Sequence, residues 1–542
     1  MKQLIFIPIF FLLLMLNQPG LAQQYSNEDP ILPLKTNRSV LFGNDIVIHD
    51  QPERDQRNIS ICCAFNGWLY AVYSYNQPDQ ANISILKSTD NGLTWNVIIE
   101  TGFDYYDCII KKVNIMVCGN SIPNLKLFVG CVILDTLDGS SSGKVWRNKA
   151  EPYTPEEWVL NEGNINDLSL ASDYMYPAGN SNPYSIATLY SSNGPIMDSL
   201  VFLSSGNGGL SFDNRQVVAI TSKIFDKVAL NYGRSPSYNS GRYFAAWEEQ
   251  DNLNSNTGHI FTAHSEPLFN SPFTVPVCLD SLDPSAINKS RNPVISCQFN
   301  DVNNDSSNLT EVIMFEKYLP GTNSYDLQGY YNLQATNSNY FRNFSASPSQ
   351  NYKIHPDINF NPYNSTFMMT YYDSTGNKLP FLTNDVNMTT PDSWNTITNG
   401  YNDNNNISAP HPKVNLNVIQ HTGMNAWIAE RPNGNGMALF DSPYSVYNGI
   451  SEIKSIYARL IGSYPNPCTT NTTIRFELQK PEKVSVVLYS LIGQTLKISK
   501  EQIYPAGLHQ LNFNISEFSQ GTYMYTIRAG EYFASDKITI IR

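Results

Sequence analysis

Oxygen donors alternate at Asp301, Asn303 and Asp305, the spacing with which a calcium-binding loop begins. Such a loop next requires a glycine, where this chain has Ser306, and it closes with a bidentate Glu that is missing here. A solvated Asn/Asp loop without a cofactor is therefore the expectation, with calcium as the alternative. Glu248-Glu249 is a carboxylate pair, the residue type for general acid and base work, but it follows a strand-like run, where such pairs are common. There is no His-Glu-x-x-His, no Cys-x-x-Cys and no Gly-x-Ser-x-Gly, and the seven His are dispersed. With 33 Tyr, no tyrosine nucleophile stands out. Catalytic residues are accordingly assigned to none, and a binding role is favoured over an enzyme.

Eight Cys would invite a disulfide framework if the chain enters an oxidising compartment. Cys62, Cys118 and Cys297, however, end similar strand-like runs, which fits small buried apolar side chains better. Cys108/Cys118, Cys118/Cys131 and Cys278/Cys297 are the candidate pairs, and at most two bridges are expected.

The elements that would position any site are repeated. An aromatic or aliphatic run recurs, beginning with Leu69-Tyr-Ala-Val-Tyr73, and its equivalent positions 71, 130, 187, 245, 313, 369 and 427 lie 59, 57, 58, 68, 56 and 58 residues apart. The long interval contains the polar stretch 300–308, which reads as an inserted loop. One strand precedes each run and two follow, with no helical periodicity. Four strands per repeat, seven times, predict an all-β chain with a β-propeller of seven blades, six being the alternative. The strand near Ile46 is expected to close the ring by pairing with the last repeat, which removes a free edge.

One turn carries a motif, Ser88-Thr-Asp90-Asn-Gly92-Leu-Thr94-Trp95. Its reading is structural: Asp90 can cap backbone N–H groups, Gly92 can take positive φ, and Trp95 can fill the space between sheets. A degraded copy runs from Ser205 through Asn207, Gly209 and Ser211 to Phe212, and looser echoes end at Trp158 and Trp394. These turns resemble the Asp-box, or BNR, repeats of sialidase-like propellers. That resemblance implies the fold and makes a sialidase or other glycoside hydrolase the alternative function. It also implies three arginines on a substrate carboxylate, a Tyr nucleophile with a Glu, an Asp acid/base and an early Arg-Ile-Pro motif. The motif is absent, and Arg54, Arg57, Arg234, Arg242 and Arg291 do not stand in its context.

The ends of the chain concern its destination. Met1-Lys2, the apolar run Leu4 to Leu16 and Pro19-Gly-Leu-Ala22 have the form of a secretory signal peptide, with cleavage expected after Ala22. The run is too short to span a membrane, and no later stretch is apolar enough to do so. After about residue 456 the repeat stops. Tyr464-Pro465-Asn466-Pro467 opens a series of short alternating strands with turns at Gly493, Gly507 and Gly521, ending in Lys537-Ile-Thr-Ile-Ile-Arg542. This tail resembles the type A C-terminal sorting domain of the type IX secretion system of Bacteroidota. The resemblance implies a small β-sandwich, export through the periplasm to the outer surface or beyond, and as partners the secretion machinery and an outer-membrane sortase. The domains are thus read as 1–22 signal peptide, 23–455 propeller and 456–542 sorting domain.

A net charge of −12 argues against nucleic acid as a partner, and few charges (15%) with many aromatics (12%) suit an extracellular β protein. A broad loop face and a central funnel suit an extracellular glycan or protein ligand.

Overall fold

The computed structural model describes residues 41–42, 45–444 and 458–542, less short interior stretches of which the longest are 174–184, 281–288 and 300–308. The signal peptide, the calcium-like stretch 301–305 and Gly493 lie outside the described residues.

Seven four-stranded antiparallel sheets account for the described residues from Ile46 to Asp441. In the first, Asp55–Cys63, Leu69–Gln77, Gln80–Ser88 and Asn96–Phe103 follow one another from the inside outwards. The inner strands of the others are Cys108–Cys118, Ile165–Ser172, Ile224–Gly233, Ser290–Cys297, Lys353–Asn361 and Asn406–Asn417. Each inner strand packs against the inner strand of the next sheet, and the seventh packs against the first. The sheets therefore stand in a closed ring, a β-propeller, whose inner strands surround a central channel.

The recurring run used to find the period is the second strand of every sheet. Its residues are buried on both faces, as at Ala71, Ala187, Ala245, Ile313, Met369 and Trp427, because neighbouring sheets cover it from either side. The first, second and seventh sheets, for example, meet through Tyr70, Tyr73, Leu127, Trp427 and Phe440.

The ring closes as expected from the sequence. Ile46 and Val47 pair with Phe440 and Leu439, giving the seventh sheet its outer strand from the other end of the chain. The connecting loop is bolted down by polar contacts. Asp55 Oδ1 accepts Gly436 N at 2.8 Å, Gln56 Oε1 accepts Ala438 N at 2.6 Å, and Arg431 Nη1 donates to Asp50 at 2.8 Å.

The tail forms a sandwich. One sheet holds Ala458–Tyr464, Asn471–Leu478 and Gly507–Asn514. The other is built on Glu482–Tyr489, Gly521–Ala529 and Tyr532–Ile540. Leu460, Ile474, Phe476 and Phe513 meet Val486, Leu488, Ile527 and Ile538 in one apolar core. Alternation is the cause: Thr472, Ile474, Phe476 and Leu478 point inward while Asn471 and Arg475 face water.

All eight cysteines are free thiols, and none of the three candidate pairs is bonded. Burial raises the thiol pKa values of the fully buried cysteines, pushing Cys63 and Cys131 up to about 12.

Candidate functional site

Every inner strand is bulged near its N-terminal end. The register slips between Arg57 and Ile59, Ile110 and Lys112, Ile165 and Asp167, Phe225 and Val228, Arg291 and Val294, Ile354 and Asp357, and Ala409 and Lys413. A bulge re-aims side chains and leaves a backbone group outside the ladder. Seven of them at one level put a ring of charged and imidazole side chains at one mouth of the channel.

Acids of this ring serve the backbone of the next sheet. Asp167 Oδ2 accepts Val228 N at 2.9 Å, and Glu248 Oε2 accepts Asn292 N at 3.0 Å. Glu316 Oε1 accepts His355 N at 2.8 Å, and Asp357 Oδ2 accepts Val414 N at 2.8 Å. Amides handle carbonyls in the same way: Asn58 Nδ2 donates to Ile110 O at 2.7 Å and Asn166 Nδ2 to Phe225 O at 3.2 Å. Pro293, Pro356 and Pro412 sit in three bulges, where a residue without an N–H leaves no orphan donor.

The cations turn the other way. The Lys112 side chain is 30% exposed and its partner Asp167, 2.9 Å away, only 3%. Arg291 is 39% exposed while Glu316, at 2.7 Å, is fully covered. Lys227, 3.0 Å from Asp226, and Lys413, 3.5 Å from Asp357, keep about a third of their side chains open. Burial, with the fields of Lys413 and Lys227, lowers the Lys112 pKa against the pull of Asp167. For Lys227 burial acts in the same sense, but Asp167 and Asp226 outweigh it and the pKa rises.

His355 and His411 lie between these groups with ring centroids 3.9 Å apart. Burial, then the neighbouring imidazole and the three lysines, holds His411 well below the ordinary histidine value, and burial likewise lowers His355. Both are neutral at pH 7. His411 is nevertheless exposed to solvent, as a side chain inside a water-filled channel can be.

Besides Asp357, whose pKa burial raises, the mouth carboxyl with an acid's environment is Glu248. Burial pushes it up to about 7, with Asp226 adding repulsion. Gln250 Nε2 bridges the two, donating to Glu248 and, at 3.1 Å, to Asp226 Oδ2. Only 1% of Glu248 is exposed, however, so a ligand in the channel meets Asp226 first.

The arginines noted in the sequence are divided. Arg57 and Arg291 reach the bulges, Arg291 lying 3.7 Å over the Tyr325 ring. Arg54 binds Glu100 on the ring-closing loop. Arg242 pairs with Gly233, the residue before Arg234, at the opposite end of the fourth inner strand. The converging cations are lysines, which sequence reasoning passed over. The available signal was the recurring Asn-Pro or His-Pro at 292–293, 355–356 and 411–412, just inside the inner strands.

The Asp-box turn lies away from the mouth, between the third and fourth strands of the first sheet. Ser88 Oγ donates to Asp90 Oδ1 at 2.8 Å and accepts Gly92 N at 2.9 Å; Thr94 N donates to Asp90 Oδ1 at 2.9 Å; Trp95 Nε1 donates to Gly92 O at 3.0 Å. Gly92 has φ +90°, and a Cβ there would come within 2.1 Å of Phe440 in the seventh sheet. The copy repeats the pattern: Gly209 N donates to Ser205 Oγ at 2.8 Å, and a Cβ on Gly209 would meet Phe128 of the second sheet at 2.2 Å. Trp394 makes the same indole-to-carbonyl bond, to Pro391 O at 3.1 Å. Trp158 does not share this arrangement, since it is mid-strand and packs on Trp146 of its own sheet.

In the tail, Asn466 stitches the Tyr-Pro-Asn-Pro segment to the last strand, accepting Thr539 N at 2.9 Å and donating to Lys537 O at 2.7 Å. Thr472 Oγ1 donates to Pro465 O at 2.8 Å, and Pro467 is exposed. Tyr464 is 69% exposed. Gly507 has φ +125°, Gly521 φ +153°, and the Lys537 side chain faces solvent.

Fold and tail together define a β-propeller protein that carries a sorting sandwich. Residues 463–541 match the family described as secretion system C-terminal sorting domain, so the chain is exported by type IX secretion to the cell surface or the extracellular space and interacts with that machinery. No curated protein matches the chain by sequence. Among solved structures it is similar to the α-L-arabinofuranosidase Arb93A of Fusarium graminearum, with 11% identity, TM-score 0.41, and 74% of this chain and 97% of that one covered. It is also similar to the NanB sialidase of Streptococcus pneumoniae, with 8% identity, TM-score 0.40, and 74% and 70% covered. A protein of unknown function from Dyadobacter fermentans shows 10% identity, TM-score 0.38, and 74% and 98% covered. Among the described residues, no helix is long and apolar enough to cross a membrane, and no group of three or more His, Cys, Asp or Glu is placed to hold a metal ion.

Proposed function

We propose that this exported propeller is an extracellular binding module for glycans or proteins, working through the bulged mouth of its channel. The observation that carries the reading is the commitment of the mouth carboxylates: Asp167, Glu248, Glu316 and Asp357 each hold a backbone N–H of the next sheet. A carboxylate fixed in this way is a structural staple and is poorly placed to exchange protons with a ligand. The seven sheets are taken as seven blades, with the Asp-box turns as braces between them. The boundaries 1–22, 23–455 and 456–542 are retained, with an outer-membrane sortase as the tail's partner. The test is incubation of the purified mature chain with a panel of 4-methylumbelliferyl glycosides, including the sialoside and the arabinofuranoside, alongside a glycan array. Array binding without fluorophore release is the expected result.

A second reading, a glycoside hydrolase, has one observation in its favour. Glu248, which burial raises to about 7, shares the Gln250 amide with Asp226, so that two carboxyls stand side by side. Turnover abolished by Glu248→Gln would select it.

A further inference from the structure

We propose that Lys112, Lys227 and Lys413 form an anion-binding centre in the channel, which takes the carboxylate or sulfate group at the end of an acidic glycan. This rests on the binding-module reading and narrows it. The three side chains come from the second, fourth and seventh inner strands, each at or beside its bulge. They converge: Lys112 Nζ donates to Val228 O, beside Lys227, at 3.4 Å, and all three lysines stand at bulges of the one ring, near enough to act on His411. Each has a carboxylate neighbour, so the charge of the ring is largely balanced. The balance is not symmetric in space. Asp167 is 3% exposed beside a Lys112 that is 30% exposed, and Asp357 is 18% exposed beside a Lys413 that is 34% exposed. Solvent in the channel therefore meets the Lys112 and Lys413 ammonium groups in front of their carboxylates, while Lys227, 36% exposed, stands beside an Asp226 that is 21% exposed. A strong hydrogen-bond donor facing water while its counter-ion is tied to backbone is poised to take a second oxyanion. The lysines sit within the strand-built ring and not on a flat outer face, which suits the end group of a chain molecule better than a broad protein surface.

The experiment uses the mature full-length chain and needs no variant at first. Lysine acetylation is followed by mass spectrometry with and without inorganic sulfate, and solvent-exposed Lys500 serves as the reference. Sulfate is expected to slow modification of Lys112, Lys227 and Lys413 but not of Lys500. Titration calorimetry then compares a galacturonate oligosaccharide, its neutral galactose counterpart and oligoglutamate. The uronate is expected to bind with an affinity that falls as salt rises, and Lys227→Gln and Lys413→Gln are each expected to weaken it about tenfold with unchanged melting curves. Lys413→Arg should retain most of the affinity. Absence of sulfate protection, or uronate binding indifferent to both substitutions, overturns the anion centre. Equal binding of the neutral sugar overturns it while leaving the binding module intact, and preferential binding of oligoglutamate overturns the glycan as occupant. Turnover of the sugar overturns the binding-module reading itself.

Discussion

The carboxylate of Asp167 accepts the backbone N–H of Val228 at 2.9 Å, across the gap between the third and fourth sheets, and the same oxygen accepts the Lys112 ammonium of the second sheet at 2.9 Å. One nearly buried oxygen thus joins three consecutive sheets. Asp167→Ala leaves an amide without its acceptor and a lysine without its counter-ion, with an expected loss of about 3 kcal/mol. Lys112→Met should cost clearly less, since the lysine already faces channel water. Urea unfolding of both variants checks the order, and equal losses would contradict it.

The Asp-box is expected to matter for stability and not for ligand. Gly92→Ala places a Cβ against Phe440 at a positive φ, so a loss of roughly 2–4 kcal/mol is expected with affinity unchanged in the folded fraction. Thermal melts and calorimetry on the same sample separate the two. A variant of native stability that no longer binds would make the box a ligand site.

Stability should fall as pH rises from about 6.5 to about 8, above the range in which five histidines with lowered pKa values, His49, His264, His355, His411 and His421, act in the opposite sense. Burial raises Asp173 and Glu248 to about 7 and Glu311 to about 8, so each binds its proton more tightly folded than unfolded. Their stabilising contribution is complete below the unfolded carboxyl pKa and is lost on the way up to the folded one. Glu311, fully buried and with its carboxyl accepting Thr262 Oγ1 at 3.1 Å, is the cleanest probe. Glu311→Gln should flatten the upper part of the profile, and an unchanged slope in urea titrations at stepped pH would remove Glu311 from the account.

Much of the fold could be read in the residues, and the reasons are physical. The second strand of each sheet is covered on both faces, so its apolar run survives as a 58-residue rhythm, and Gly92 is marked by a turn that no side chain can enter. The mouth was not readable because bulges break the alternation that sequence reading follows. They slip the ladder at Arg57, at Lys112, at Asp226-Lys227 and again before Lys413, over stretches of unequal length, so channel-facing residues share no common spacing. Arginines drew attention for their chemistry, yet Arg234 and Arg242 lie at the far end of their strands from Lys227.

The tail should be separable from the ligand. Deleting residues 461–542 is expected to leave a folded propeller in the periplasm, detected by fractionation and limited proteolysis. Asn466→Ala removes two bonds to the final strand and should destabilise the sandwich by about 1–3 kcal/mol without changing ligand affinity. Normal export of the truncated chain would contradict the role given to the sandwich.

The central claim is binding without chemistry at the channel mouth, and the glycoside panel read against the glycan array tests it most directly. The account expects saturable binding to arrayed glycans and no fluorophore release from any glycoside. Release that disappears in Glu248→Gln would contradict it, making the mouth an active site and Glu248 its acid.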